Sequence, residues 1–260
     1  MFIQPIYNES SPEALLDFID QNPLGIFTTG IPSDAHAHLQ SSHIPWVLDR
    51  PSASSPNGPP HPAVLRGHLA RANPQAKSMV DSLTSSNLLS GSELESEVMI
   101  IFNGPYHHYV PPKFYTESVS ASSKVAGTWN YAAVQVYGKA KIYHDVKREE
   151  TDEFLMKQLY ALSDNSERKI MGFTGENGRD EPWNIDDVPR GYLNILKKAI
   201  VGIEITVDRI EGKFKMSQEK SKGDREGVAR GLEGVGSDAA KHIARSVREF
   251  GERKQAAKMK

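Results

Sequence analysis

From Asn130 to Tyr143 the chain alternates. Ala132, Val134, Val136, Gly138, Ala140 and Ile142 fall on one face, and Tyr131, Gln135, Tyr137, Lys139 and Lys141 on the other. A period of two over such a length predicts a half-exposed antiparallel strand, suited to a barrel. The stretches LGIFTTG (24–30), HIPWVLD (43–49), AVLRGHLAR (63–71), EVMIIFNG (97–104) and VGIEITVDRIEGKFK (201–215) read as further strands, with YHHYVPPKFY (106–115) as an aromatic loop. Helices are expected after Ser10, where Glu13 completes a capping box, after Asn73 and Pro74, across 146–162, and at YLNILKKAI. The fold class is therefore mainly β, a barrel with peripheral helices, about 215 residues forming one body.

PSASSPNGPPHP (51–62) cannot pair as a strand and is expected as an exposed insertion within a domain spanning 1–231. Beyond it, 232–260 reads as a basic tail, helical or partly disordered. From Ala239 onward seven basic residues face Glu249 and Glu252, a surplus of +5. The whole chain carries -2, so the remainder is near -7. Such a tail predicts at most weak, salt-sensitive contact with nucleic acid.

The chain has no cysteine, which excludes disulfides, thiolate metal sites and a cysteine nucleophile. No run reaches the roughly 20 apolar residues of a membrane span. MFIQPIYNESS lacks the features of a signal peptide, so an intracellular, cytoplasmic protein is expected, or a nuclear one in a eukaryote.

Arg71 at a strand end, with Asn73 opening a helix, has the makings of an anion cradle, since guanidinium offers two parallel hydrogen bonds and a helix start offers free N–H groups. A surface ion pair and a plain helix cap explain the same residues. His36 and His38 share a face and lie near His43, yet no acidic cluster or HExxH accompanies them, so structural roles are preferred to metal or haem binding. Trp129 could wall a planar ligand or simply pack, and Lys213 and Lys215 share a face that meets an anion or solvent. The glycines of GLEGVGSDAAKHIARSV follow no strand and lack phosphate-loop spacing.

The segments HIPWVLD (43–49), GHLARANPQ (67–75), IFNGPYHHYVPPKFY (101–115), TWNYAAVQVYG (128–138) and IVGIEITVDRIEGKFKMSQ (200–218) occur together and in order. In this they resemble PaiB-type transcriptional regulators of the FMN-binding split-barrel superfamily. The resemblance implies a homodimeric split barrel with FMN at the dimer interface. It implies Arg71 as phosphate ligand with His68 and Asn73 beside it. Ser42, His43 and Ile44 would run along the isoalloxazine, and Thr128, Trp129 and Asn130 would form a second wall reached from the partner subunit. Lys213 and Lys215 complete the cofactor-binding set, with no catalytic residue and no metal ligand assigned. The function implied is negative transcriptional regulation or flavin-dependent sensing. The alternatives are a flavin-dependent oxidoreductase acting on a small molecule and, third, a haem-binding or haem-degrading protein. KMSQEK departs from the more usual KLSQN, and the insertion and tail are additions to the shorter bacterial pattern.

Overall fold

The computed structural model describes residues 1–51, 62–122 and 124–258, so the expected insertion at 51–62 lies almost wholly outside the described residues. The strands are β1 (Asn8–Glu9), β2 (Leu24–Gly30), β3 (Leu39–Pro45), β4 (Val47–Asp49), β5 (Val64–Ala70), β6 (Ser92–Glu93), β7 (Val98–Val110), β8 (Thr128–Tyr143) and β9 (Ile200–Lys215). The helices are α1 (Pro12–Gln21), α2 (Pro74–Ser85), α3 (Glu117–Ser122), α4 (Glu149–Asp164), α5 (Arg190–Lys198), α6 (Lys222–Val235) and α7 (Asp238–Lys258). The architecture is a mainly antiparallel sheet with flanking helices.

The single body expected from the pattern divides into two compact units, and the division falls within β7, β8 and β9. The larger holds Ile19–Phe102 and Val136–Ile210, and the smaller Met1–Phe18, Asn103–Gln135 and Glu211–Lys260.

In the larger unit the strand order is β3-β2-β7-β8-β9-β5-β4. Its first and last strands are joined by Trp46 alone, so the sheet comes back to its own start. HIPWVLD was read as one strand; it breaks at Trp46, whose N–H donates to the Pro23 carbonyl at 2.9 Å. The indole is 2% exposed and meets Phe27 edge-on at 5.6 Å. Its bulk demands absent side chains opposite. A methyl on Gly67 would lie 3.0 Å from both Ile44 Cγ2 and the indole, and one on Gly25 would lie 2.6 Å from Ile100 Cγ2 and 2.8 Å from Phe102 Cε1. The alternation of β8 holds from Val134 to Ile142, with the even positions buried.

α4 covers the other face of β5. Arg66, only 3% exposed, points outward there, gripping Asp49 through Nε at 2.6 Å and Nη2 at 2.7 Å and reaching Gln158 of α4 at 3.4 Å. That pairing lowers the Asp49 pKa. The Phe154 ring stacks on Tyr143 at 3.9 Å and lies against Gly202.

The carboxyl-terminal segment is helical, one of the two forms expected of it: a boundary at 231/232 falls within α6, and the segment forms α7, whose Ala240, Ile243, Ala244 and Val247 are fully buried with Val228, Ala229 and Leu232 of α6 in one apolar cluster. Arg248 is held by Glu226 and Glu233. Asp224 of α6 is buried and accepts the Glu117 and Ser118 N–H groups that open α3.

Because Ile100 and Phe102 are fully buried, they cannot swing away from a new methyl group. Gly25→Ala should lower stability by about 1–3 kcal/mol through overpacking, measured by urea unfolding. A change below ~0.5 kcal/mol, the usual scale of surface substitutions, would mean the Trp46 cluster is looser than its geometry indicates.

Candidate functional site

In the larger unit Asn73 is the N-cap of α2. Its Oδ1 accepts the Gln75 N–H at 2.8 Å, and its Nδ2 donates to Ser42 Oγ at 3.0 Å, tying the helix start to β3. Gln75, which motif reading missed, is 1% exposed and donates from Nε2 to the Phe27 and Gln40 carbonyls and to Thr29 Oγ1. Gln40 in turn donates to Ser78 Oγ at 2.9 Å. The strand-to-helix corner is thus a connected polar network, and Asn73 has both ends of its amide engaged within it.

Arg71 sits at that corner, but its fork does not face outward. Nε donates to the Lys198 carbonyl at 2.9 Å, and Nη2 donates to the carbonyls of His144 at 2.6 Å and Ile200 at 3.0 Å. The guanidinium clasps three chain segments, and Nη1 alone remains to meet a phosphate. The two-pronged grip expected of Arg71 is therefore replaced by a structural role with one terminal nitrogen left over. His68 lies on the outer face of β5 with Arg66. Burial pulls its pKa below the ordinary histidine value, and its Nδ1 is buried without a partner among the described residues. It is a neutral imidazole near pH 7, not a cationic neighbour for phosphate.

Ser42, His43 and Ile44 do not share a surface, because successive strand residues face opposite ways. Ile44 is 1% exposed and packs in the core beside Gly67, so it offers no side chain to a ligand. Ser42 turns to Asn73. His43 faces outward, and its surroundings carry the strongest signal in the unit. Antiparallel register places Leu39, Ser41, His43 and Pro45 of β3 beside Gly30, Thr28, Ile26 and Leu24 of β2, and Ile26 and Thr28 beside Ile101 and Met99 of β7. None of these ten residues is Asp, Glu, Lys or Arg. Leu24 is 59% exposed and Leu39 72%. An antiparallel sheet with one buried face ordinarily carries polar residues on the other. The sequence hinted at this only in LGIFTTG, which lacks charge on either side.

In the smaller unit Asn130 is fully buried. Its Nδ2 donates to Ser217 Oγ at 2.9 Å, and Ser217 Oγ lies 3.2 Å from its Oδ1. Ser217 holds φ 59°, so the amide stabilises a strained KMSQ turn, and it is not exposed to a ligand as the resemblance implied. Lys215 donates to Thr128 Oγ1 and to the Trp129 carbonyl at 3.0 Å, and burial lowers its pKa. Lys213 donates to the Phe2 carbonyl at 3.3 Å. Neither lysine stands clear as an anion ligand. Nearby, Tyr7 is pushed up to about 12 by burial and by Glu219. Trp129 is different: its ring is 52% exposed and touches Tyr109 and His107, at 5.9 and 5.8 Å between centroids. Among the described residues no cluster of three or more His, Asp or Glu could hold a metal ion, and no helix is long and apolar enough to cross a membrane.

The donor set suits a flavin in part. A planar, largely apolar ring system fits the uncharged sheet face of the larger unit, where Ser41, Thr28 and His43 supply polar edges. The phosphate is less well served, by Arg71 Nη1 and the first turn of α2.

A family model described as Putative FMN-binding domain matches residues 1–209. An uncharacterised protein of Emericella nidulans is 50% identical over 256 residues, covering 98% of this chain and 99% of its own. The protease synthase and sporulation protein PAI 2 of Bacillus subtilis is 25% identical over 244 residues, covering 94% and 95%. Among solved structures, an FAD and heme binding protein from Mycobacterium smegmatis aligns with 15% identity over 80% of this chain and 73% of its own, at a TM-score of 0.41.

The His68 environment gives a pH dependence with a definite sign. The unfolded chain holds the imidazole near 6.5 and the fold lowers it, so this contribution is present above about pH 6.5 and is lost as pH falls through the folded value. His68→Gln should therefore show a shallower loss of stability between about pH 7 and 5 in denaturant titrations. Equal slopes for variant and wild type would refute the assignment.

Proposed function

This chain belongs to the family described as Putative FMN-binding domain, and from that membership we propose a homodimeric flavoprotein that uses FMN to oxidise or reduce a small molecule. The uncharged outer face of β3, β2 and β7 is the observation that carries this reading. Partly exposed apolar sheet surface, here half-buried at Ile26, Met99 and Ile101 and open at Leu24 and Leu39, marks a binding or association surface. FMN, when bound, supplies the redox chemistry, and the protein supplies position and surroundings.

In this reading Ile26, Ile101 and Met99 keep water from the ring, while His43 and Ser41 hydrogen-bond its polar edge. The Asn73–Ser42 and Gln75 contacts hold the start of α2 in place, and Arg71 Nη1 contributes one donor to the phosphate. Thr128 and Trp129 are proposed to reach the flavin of the other subunit in the dimer, Trp129 for its open ring. Asn130, Ile44 and His68 act through the fold.

PaiB-type regulation is the second reading, supported by the similarity to PAI 2 and by Lys241 and Arg245, which face outward from α7. It is ranked second because the basic segment it depends on is folded into the α6–α7 hairpin, with Arg248 already paired to two glutamates.

Ile26→Glu places a charge at the centre of the outer face without touching the core. Purified wild type should carry FMN and scatter light as a dimer, and the variant should lose the flavin absorbance and run near 28.8 kDa. A variant with wild-type flavin content and mass would remove this face from the proposal. Assays of NAD(P)H oxidation and duplex binding, on wild type and on the double variant Lys241→Glu, Arg245→Glu, separate the two leading readings. Flavin turnover in both proteins supports the oxidoreductase. Duplex binding lost in the double variant, with no turnover in either, puts regulation first.

A further inference from the structure

Within the larger unit, away from the outer sheet face, a cavity of about 550 Å³ lies between α4, the turn at 185–188 and α5. Its floor contains an unusual lysine. α5 is amphipathic, and Lys197 falls one turn after buried Leu193, at a position where a helix facing a core ordinarily carries an apolar residue. Lys197 is 7% exposed and donates to Asp152 of α4. Burying an ammonium is costly even when paired, and leucine would fill the same place without that cost.

One oxygen of each aspartate in this cavity is engaged, that of Asp152 by Lys197 and that of Asp186 by the Tyr160 hydroxyl. Two donors of the lining are not drawn to either. Arg190 and Asn194 line the mouth, both exposed, and neither makes a hydrogen bond or ion pair among the described residues. Met156, Val188 and Leu193 supply an apolar wall beside them. The volume is that of an ordinary small-molecule site.

We propose that this cavity binds a small organic anion, a carboxylate on an apolar body, with Arg190 and Asn194 on the carboxylate and the charge of Asp152 offset by Lys197 beneath it. Arg190 offers a fork that matches a carboxylate, and the apolar wall excludes a bare inorganic ion as the preferred occupant. The site is independent of the flavin surface, so its occupant acts on the protein as an effector or as a second ligand, whatever the redox partner is.

The test uses the full-length protein with benzoate, hexanoate, inorganic phosphate and, as a cationic control, benzylamine, read by thermal shift and titration calorimetry. Benzoate or hexanoate should raise the unfolding midpoint saturably, and benzylamine should not. Arg190 is exposed, so Arg190→Ala should fold normally, keep its FMN content and weaken carboxylate binding by about 10- to 100-fold, the usual effect of losing a charge-assisted contact. Asn194→Ala should weaken it less. The proposal is overturned by the absence of saturable binding at millimolar carboxylate, by benzylamine matching benzoate, by phosphate binding more tightly than benzoate, or by Arg190→Ala retaining wild-type affinity.

Discussion

The indole of Trp46 is the contact on which the larger unit depends. It fills the space where the last strand of the sheet returns to the first, and it fits only because positions 25 and 67 carry no side chain. Its Nε1 is buried without a partner among the described residues, an energetic cost of order 1–3 kcal/mol. The ring is evidently kept for its volume and shape. With Trp46 inside, the strand phase of β3 and β2 is set: Phe27 and Ile44 point inward, so Ile26 and His43 must point outward. A one-residue slip would reverse every one of these faces. The uncharged surface assigned to the flavin is therefore a direct consequence of how the interior is filled.

Much of this was readable from residue order, and the failures have physical causes. Period-two alternation located β8, and the cap-then-proline pair located α2. Strand β7 was read too short because Gly104 and Pro105 look like terminators. The strand runs on to Val110, and Gly104 is where the Ala132 carbonyl approaches closely, 3.3 Å from a would-be Cβ. The segment after 232 is legible as a helix from its good helix formers, and Ala240, Ile243, Ala244 and Val247 trace the stripe that is buried. Charge on one side of a helix says nothing about burial on the other.

The site residues were harder because their partners are distant in sequence. Arg71 meets carbonyls at 144, 198 and 200, and Asn130 meets Ser217. No local pattern reveals that a guanidinium or an amide is already engaged. In the segments that the resemblance marks, several polar residues hold the backbone in place. The surface most suited to a flavin is formed instead by residues with little individual signature, such as Ile26, Ser41 and Met99. In the proposed reading a surface and not a catalytic motif holds the cofactor, and one such fold can host either redox chemistry or regulation.

Native mass spectrometry of the freshly purified full-length protein tests the central claim most directly, because it weighs the assembly and its cofactor together. The account expects a dimer of the 28.8 kDa chain carrying one FMN per chain. A monomer without flavin, or a complex whose bound mass is that of haem or FAD, would contradict it.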